Sequence, residues 1–190
     1  MSKYDITTKN GYDFFECSSA MQKCIRRGLE DDALFWAVEL FESNFVEYVW
    51  KRLRIISSED VGLACPGISG EIAALYQLHV LQAKHKEDKN RPQRLFLVHA
   101  ICLLCRAKKS RLVDWALIYH WGCHDKLLRP VPDFAFDKHN ERGRKMKRGW
   151  GHFFEEGSKL ADMTTSLTEM EYRELAKGAA DGTCGGGLFD

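Results

Sequence analysis

Apolar residues recur at helical spacing along most of this chain of 190 residues, and only a short N-terminal lead-in favours strand-like structure. A period of 3.6 residues places apolar side chains on one face of a helix, whereas a strand would need strict alternation. The sequence therefore predicts an all-α fold class, with a single compact helical domain. The predicted helices are Ala33 to Phe41, Phe45 to Ile56, Glu71 to Lys84, Pro92 to Leu104 and Arg111 to Trp121.

The helical pattern also predicts which side chains form the core. Trp36 lies within the apolar stripe of the first predicted helix, so we expect it to be buried. The run from Leu95 to Leu104 is apolar on nearly all sides and is expected to be the buried central helix. His79 and His99 lie among apolar residues, and we expect both at the core or its edge.

Composition narrows the class of protein. Because 45% of the residues are apolar, the chain is expected to bury one sizeable core. Because its net charge is +1, a protein that coats nucleic acid with a uniformly basic surface is excluded. No basic N-terminal region precedes an apolar run, and no apolar stretch approaches the length of a membrane span. We therefore expect a cytoplasmic protein without a membrane partner. Seven scattered cysteines favour reduced thiols over a disulfide framework.

One long stretch of the sequence, from Ser18 to Pro66, contains the motifs Ser19-Ala20, Lys23, Arg26, Asp32-Ala33-Leu34-Phe35-Trp36, Lys51-Arg52-Leu53 and Ser58-Glu59-Asp60 continuing to Pro66. With these motifs the stretch resembles the region that follows the ATPase module in the RarA/MgsA family of replication-associated AAA+ ATPases, the Werner-helicase-interacting-protein family. Within it, Val61 and Cys65 stand where the family has Ile and Asp. The lead-in from Tyr4 to Asp13 also resembles the strand-like segment that precedes this region in the family.

This resemblance implies a helical C-terminal module that forms a homo-oligomer, a tetramer in that family, and supports work at stalled replication forks. The implied partners are DNA and a replication or repair protein or AAA+ ATPase. The resemblance weakens after about Tyr119. We divide the chain into a lead-in (1–17), a RarA/MgsA-like helical domain (18–128), a basic and aromatic extension (129–160), and a C-terminal helix with a glycine-rich flexible tail (161–190).

The sequence lacks the loop that an ATPase needs. Phosphates are cradled by a glycine-rich turn followed by Lys and Ser or Thr, and no G-x-x-x-x-G-K-[ST] pattern occurs. We therefore expect no ATP hydrolysis, no catalytic residues and no cofactor. An alternative enzyme, which would cleave nucleic acid with a metal held near Asp137, His139 and Asn140, lacks a second acidic cluster at a suggestive spacing.

The sharpest charge asymmetry lies between Lys138 and Arg148, where six basic residues accompany one acidic residue, Glu141. Clustered cations suit phosphate contacts, interleaved glycines keep a segment adaptable, and nearby aromatic rings offer stacking surfaces. A solvated surface loop is the alternative interpretation. The predicted nucleic-acid-binding residues are Lys138, Arg142, Arg144, Lys145, Lys147, Arg148 and Trp150.

Two further groups of residues carry a functional and a structural interpretation. One group has residue types that bind zinc: Cys102 and Cys105, with His120, Cys123 and His124 downstream. A C-x-x-C pair inside an apolar helix nevertheless favours buried structural thiols, so no metal is expected. Ser58-Glu59-Asp60 suggests an acid–base site, but the pattern favours a helix start that Ser58 caps and the two acids stabilise.

The sequence thus predicts a non-enzymatic oligomerisation and DNA- or partner-binding module, related to replication-fork ATPases without their motor. The alternative is a free-standing regulator or inhibitor, for instance one encoded by a mobile element, which binds a host ATPase or another nucleic-acid enzyme.

Overall fold

The computed structural model describes residues 6–85, 87–161 and 167–182. Within these ranges the chain forms helices and turns and no β-sheet, and an isolated bridge between Thr7 and Asp13 is its strand-like feature. The predicted all-α fold is confirmed. The chain divides into two compact units, unit 1 (1–126) and unit 2 (127–190).

Unit 1 contains six helices among its described residues. A π-helical turn, Ser57–Val61, and a 3-10 turn, Gly62–Ala64, follow the third helix without a break. Helices are present over all five predicted segments, and the first helix is an addition that the pattern did not predict. The helices are α1 (Phe14–Arg27), α2 (Glu30–Glu42), α3 (Val46–Ile56), α4 (Ile68–Ala83), α5 (Gln93–Arg106) and α6 (Leu112–Gly122).

The boundaries of α1 follow from its flanking residues. The Asp13 carboxylate accepts a hydrogen bond from the backbone N of Glu16 and so caps the first turn. Gly28 ends the helix with φ +72°, and its N–H bonds the carbonyls of Cys24 and Ile25. A Cβ at Gly28 would also lie 3.3 Å from the Cys105 carbonyl oxygen of α5, so glycine serves both the turn and the packing.

The core of unit 1 lies between α1, α2, α3, α4 and α5. Trp50 of α3 is its largest fully buried side chain, and its ring lies 5.2 Å from the ring of His79 and 5.5 Å from that of Tyr76. His79 is buried, as predicted, and its Nδ1 lies 3.0 Å from the Gln93 carbonyl oxygen. The other fully buried large side chains are Met21, Ile25, Leu40, Val49, Leu53, Ile56, Val61, Ile68, Ile72, Ile101 and Leu104.

The prediction that Trp36 is buried was wrong, although the side chain packs against the edge of the core. Small residues, Ala33 and Ala37, face the core from α2, and Trp36 is only half-buried. Its ring packs edge-on against Tyr12 at 5.3 Å and Phe35 at 4.9 Å. Because Phe35 is itself exposed, the broad apolar stripe of α2 exceeds the face that the core covers.

The prediction that α5 is the buried central helix holds for one face of the helix and was wrong for the other. Its buried face carries Leu97, Ile101 and Leu104, and packs against α1, α2 and α4. Leu95 is exposed on the opposite face, and His99 is exposed rather than at the core edge. Since these neighbours cover one side of α5, Leu95 and Val98 on its other side meet solvent.

Unit 2 combines several short elements with one longer helix. A 3-10 turn, Asp133–Ala135, precedes the short helix α7 (Glu141–Lys145). Helix α8 (Trp150–His152) continues into the π-helical turn Phe153–Gly157, and α9 (Leu167–Ala180) follows. The predicted flexible tail from Asp181 lies mostly outside the described residues.

Candidate nucleic-acid interface and assembly surface

The basic segment of unit 2, residues 138–148, is folded around a tight turn. The Asp137 carboxylate accepts hydrogen bonds from the backbone N and the Nδ1 of His139, each at 2.9 Å, and these bonds hold the pKa of Asp137 below its ordinary value. Asn140 then caps α7, because its Oδ1 accepts a hydrogen bond from the backbone N of Gly143 at 2.9 Å. The turn and the cap fix the direction in which α7 presents its basic side chains.

Gly143 is present for packing rather than adaptability. A Cβ at this position would lie 1.9 Å from the Asp137 carbonyl oxygen, a distance that no side chain tolerates. By contrast, a Cβ added at Gly149 or Gly151 would meet no described atom within 4 Å. The expectation of an adaptable segment therefore fails at Gly143.

Four of the predicted DNA-binding cations are exposed on and after α7: Arg142, Arg144, Lys145 and Lys147. The Arg142 guanidinium lies 4.0 Å from the centre of the Phe136 ring, and Lys145 pairs with Glu141 at 2.6 Å. Lys147 forms no ion pair with any residue that the structure describes. The structure brings these cations onto one short segment, and their contact with DNA stays a prediction.

Arg148 differs from these cations because its guanidinium links two parts of unit 2. One terminal nitrogen donates to the carbonyl oxygens of Asp133 at 2.8 Å and Phe136 at 3.0 Å. The other donates to both carboxylate oxygens of Asp133, at 2.9 and 2.7 Å. With 18% of its side chain exposed, Arg148 ties α7 to the 3-10 turn before it.

Trp150 belongs to an aromatic cluster rather than forming an open stacking surface. The Lys138 Nζ lies 3.2 Å from the centre of its ring, and the Phe154 ring is stacked on it at 5.9 Å. His139 and Phe153 pack edge-on against the same ring. This arrangement favours phosphate contacts by the exposed cations over base stacking on Trp150.

The cysteine and histidine pattern does not assemble into a metal site within the described ranges. No group of three or more His, Cys, Asp or Glu side chains there is arranged to hold a metal ion. Cys105 is buried, and desolvation raises the pKa of its thiol to about 11. Because zinc binds the thiolate, this environment disfavours a ligand at Cys105.

The Ser58-Glu59-Asp60 segment does not begin a helix, so the predicted capping role was wrong. It lies in the π-helical turn that extends α3, and Asp60 is fully buried. The Asp60 carboxylate accepts hydrogen bonds from the Arg26 Nε at 2.7 Å and from the Arg111 guanidinium at 2.9 Å. We call Gln22, Arg26, Arg52, Glu59, Asp60 and Arg111 the ionic cluster.

Glu59 shares the arginines of the ionic cluster. It lies 3.3 Å from Arg26, 3.7 Å from Arg52 and 3.4 Å from Arg111. Three of the sequence motifs that carry the resemblance therefore come together in the folded chain: Arg26, Lys51-Arg52-Leu53 and Ser58-Glu59-Asp60. Arg111 lies 51 positions after Asp60, and no local pattern in the sequence identifies it as a member of the ionic cluster.

Helix α6 contrasts with the rest of unit 1, because none of its residues is buried. Its one carboxylate, Asp114, is paired with Arg111, so the exposed surface around the helix is apolar and nearly uncharged. Neither α6 nor any other helix in the described ranges is long and apolar enough to cross a membrane. We call six exposed side chains the α6 surface: Leu112, Trp115, Leu117, Ile118, Tyr119 and Trp121.

Comparison with known proteins gives a distant relation. No family model matches the chain. The chain is 29% identical over 146 residues to replication-associated recombination protein A of Bacillus subtilis (strain 168), and the match covers 74% of this chain and 32% of that protein. The chain thus spans about a third of the length of this relative. The match is longer than the segment 18–128, so the similarity extends beyond the domain that the resemblance outlined.

Proposed function

We propose that this chain is a non-enzymatic, cytoplasmic helical module of DNA replication or repair, which self-associates through the α6 surface and contacts DNA through the exposed cations of unit 2. The observation that carries the proposal is the α6 surface, an apolar helix that unit 1 leaves uncovered. The similarity to a replication-associated recombination protein supports the biological setting.

Self-association follows from the chemistry of the α6 surface. Removing apolar area from water contributes about 25 cal/mol per Å², and an exposed patch of six large side chains is typical of an interaction site. Since Asp114 is already paired with Arg111, two copies of this surface meet without an unpaired charge. The resemblance to a family of homo-oligomers favours a second copy as the occupant.

Light scattering coupled to gel filtration tests self-association. We expect the parent chain to form a discrete oligomer and the double variant Trp115→Ser/Trp121→Ser to be a monomer. Leu95→Ser is the matched control, because Leu95 is similarly exposed on α5 outside the α6 surface. A monomeric parent would contradict the proposal, and a defined complex of that monomer with an AAA+ ATPase would favour the regulator instead.

The DNA contact is expected to be electrostatic and independent of sequence. Arg142, Arg144 and Lys147 are exposed and carry no carboxylate ion pair among the described residues, so phosphates are their available anionic partners. Three phosphate contacts give a slope of log affinity against log salt of about −2 to −2.7. The short α7 lacks the length of a helix that reads base edges in a major groove.

Fluorescence anisotropy with labelled single-stranded, duplex and forked DNA tests this contact. The variant Arg144→Gln/Lys147→Gln should weaken binding similarly for all sequences and flatten the salt slope by about 1.4 to 1.8, with the thermal unfolding of the chain unchanged. Arg148→Gln is the informative comparison, since it removes the bonds to Asp133 and should destabilise unit 2. Absence of binding at low salt would refute the proposed DNA contact and leave self-association standing.

A further inference from the structure

Arg111 connects α6 to the ionic cluster at a single place. Its guanidinium donates to Asp60 at 2.9 Å and lies 3.4 Å from Glu59. On the α6 side it pairs with Asp114 and lies 4.9 Å from the centre of the Trp115 ring. One side chain thus bridges the π-helical turn after α3 and the first turn of α6.

Few other contacts hold α6 in place. It packs mainly against the turns Ser57–Val61 and Gly62–Ala64, where Val113 approaches Gly62. Ser110, two positions before the start of α6, adds one hydrogen bond: its backbone N donates to the Asp60 carbonyl oxygen at 3.0 Å. No residue of α6 is buried, so apolar packing contributes little to its position.

We infer that the ionic cluster is a latch: Arg111 holds α6 against unit 1 through Glu59 and Asp60, and opening this contact frees α6 while helices α1 to α5 stay folded. The core does not depend on Arg111, because Asp60 keeps its bonds to the Arg26 Nε and, at 3.2 Å, to the Gln22 side chain. The latch therefore controls the direction in which the α6 surface is presented. It is a property of the isolated chain and does not require self-association.

Hydrogen exchange read by mass spectrometry tests the latch. Both variants are made in a Trp121→Ser background and measured at a protein concentration at which light scattering shows a monomer, so that an oligomer does not protect α6. Arg111→Gln should speed exchange in residues 112–122 by about tenfold or more, the factor that corresponds to losing one charged hydrogen bond, with α1 to α5 unchanged. Arg106→Gln is the matched control, because it breaks a bidentate pair with Glu30, at 2.7 Å for both bonds, away from α6.

Two results would overturn the inference. The first is unchanged exchange in residues 112–122 of Arg111→Gln, which would show that other contacts hold α6. The second is faster exchange in α1 to α5 together with α6, which would make Arg111 part of the cooperative core. Neither result bears on whether the α6 surface self-associates, since that is measured separately by light scattering.

Discussion

Helices α3 and α6 have the same length, 11 residues, and opposite surroundings. Helix α3 carries four charged residues and still buries Val49, Trp50, Leu53 and Ile56. Helix α6 carries one carboxylate and one histidine and buries nothing. The more apolar of the two helices is therefore the exposed one.

The difference lies in how the apolar residues are distributed. In α3 the charges lie on one side, and the buried residues recur at intervals of three or four positions, which matches one helical face. In α6 apolar residues surround the helix, so no single face is marked for the core. The segregation of apolar and charged residues onto opposite faces of a helix thus predicts which face is buried. Apolar content alone leaves open whether the core or another surface covers a helix.

The largest expected effect is at Trp50. Trp50→Ala should lower the free energy of unfolding of unit 1 by about 3–5 kcal/mol, because it opens a cavity at a fully buried position of the core. Chemical denaturation followed by circular dichroism measures it. Trp50→Phe should cost less, since it keeps most of the ring volume and removes an indole N–H that has no hydrogen-bond partner among the described residues. A loss below about 1 kcal/mol for Trp50→Ala would break the contrast with α6.

An intermediate effect is expected at Gly62, where α6 approaches the domain. Gly62 has φ +49° and ψ −127°, a conformation that costs other residues about 1–3 kcal/mol, and a Cβ there would lie 3.1 Å from the Val113 Cγ2. Gly62→Ala should therefore destabilise unit 1 and speed hydrogen exchange in α6. Gly67→Ala separates the two causes, because Gly67 has φ +94° but no described atom within 4 Å of the added Cβ. Equal exchange in α6 for both variants would show that Gly62 does not position the helix.

The smallest effect on unfolding is expected at Trp121, of which 79% is exposed. Under dilute conditions, where the chain is monomeric, Trp121→Ser should change the free energy of unfolding by less than about 0.5 kcal/mol. Denaturant titration at several protein concentrations provides the check. A loss comparable to that of Trp50→Ala in the monomer would mean that α6 belongs to the core of unit 1.

Local patterns in the sequence were sufficient to predict the all-α fold and the helices over α2 to α6. They failed at Trp36 and along α5, because burial depends on which neighbours cover a helix and both segments are apolar beyond one face. The capping of α7 by Asn140 is a local signal that the sequence contains. The steric need for glycine at Gly143 comes from the approach of the Asp137 backbone, which no pattern of residue types encodes.

In the candidate sites, too, local features could be predicted from the sequence, whereas contacts between distant positions could not. The excess of cations in the basic segment is visible in the sequence, but the bonds from Arg148 to Asp133 cross 15 positions and make this cation a link within unit 2. The Asp60 and Arg111 pair crosses 51 positions. Such pairs form only when several helices are folded together, and residue types along the chain do not reveal them. The prediction from the sequence therefore placed Asp60 at a helix start instead of in the ionic cluster.

The buried carboxylate of Asp60 has a consequence for the alignment of the helices. A slip of α1 by one turn, about 5.4 Å along its axis, would carry both Gln22 and Arg26 away from Asp60. Apolar neighbours such as Met21 and Ile25 could exchange positions at modest cost, but a buried carboxylate that loses its donors is strongly destabilising. The ionic cluster therefore selects one register of α1 against α3 where apolar contacts alone would accept several.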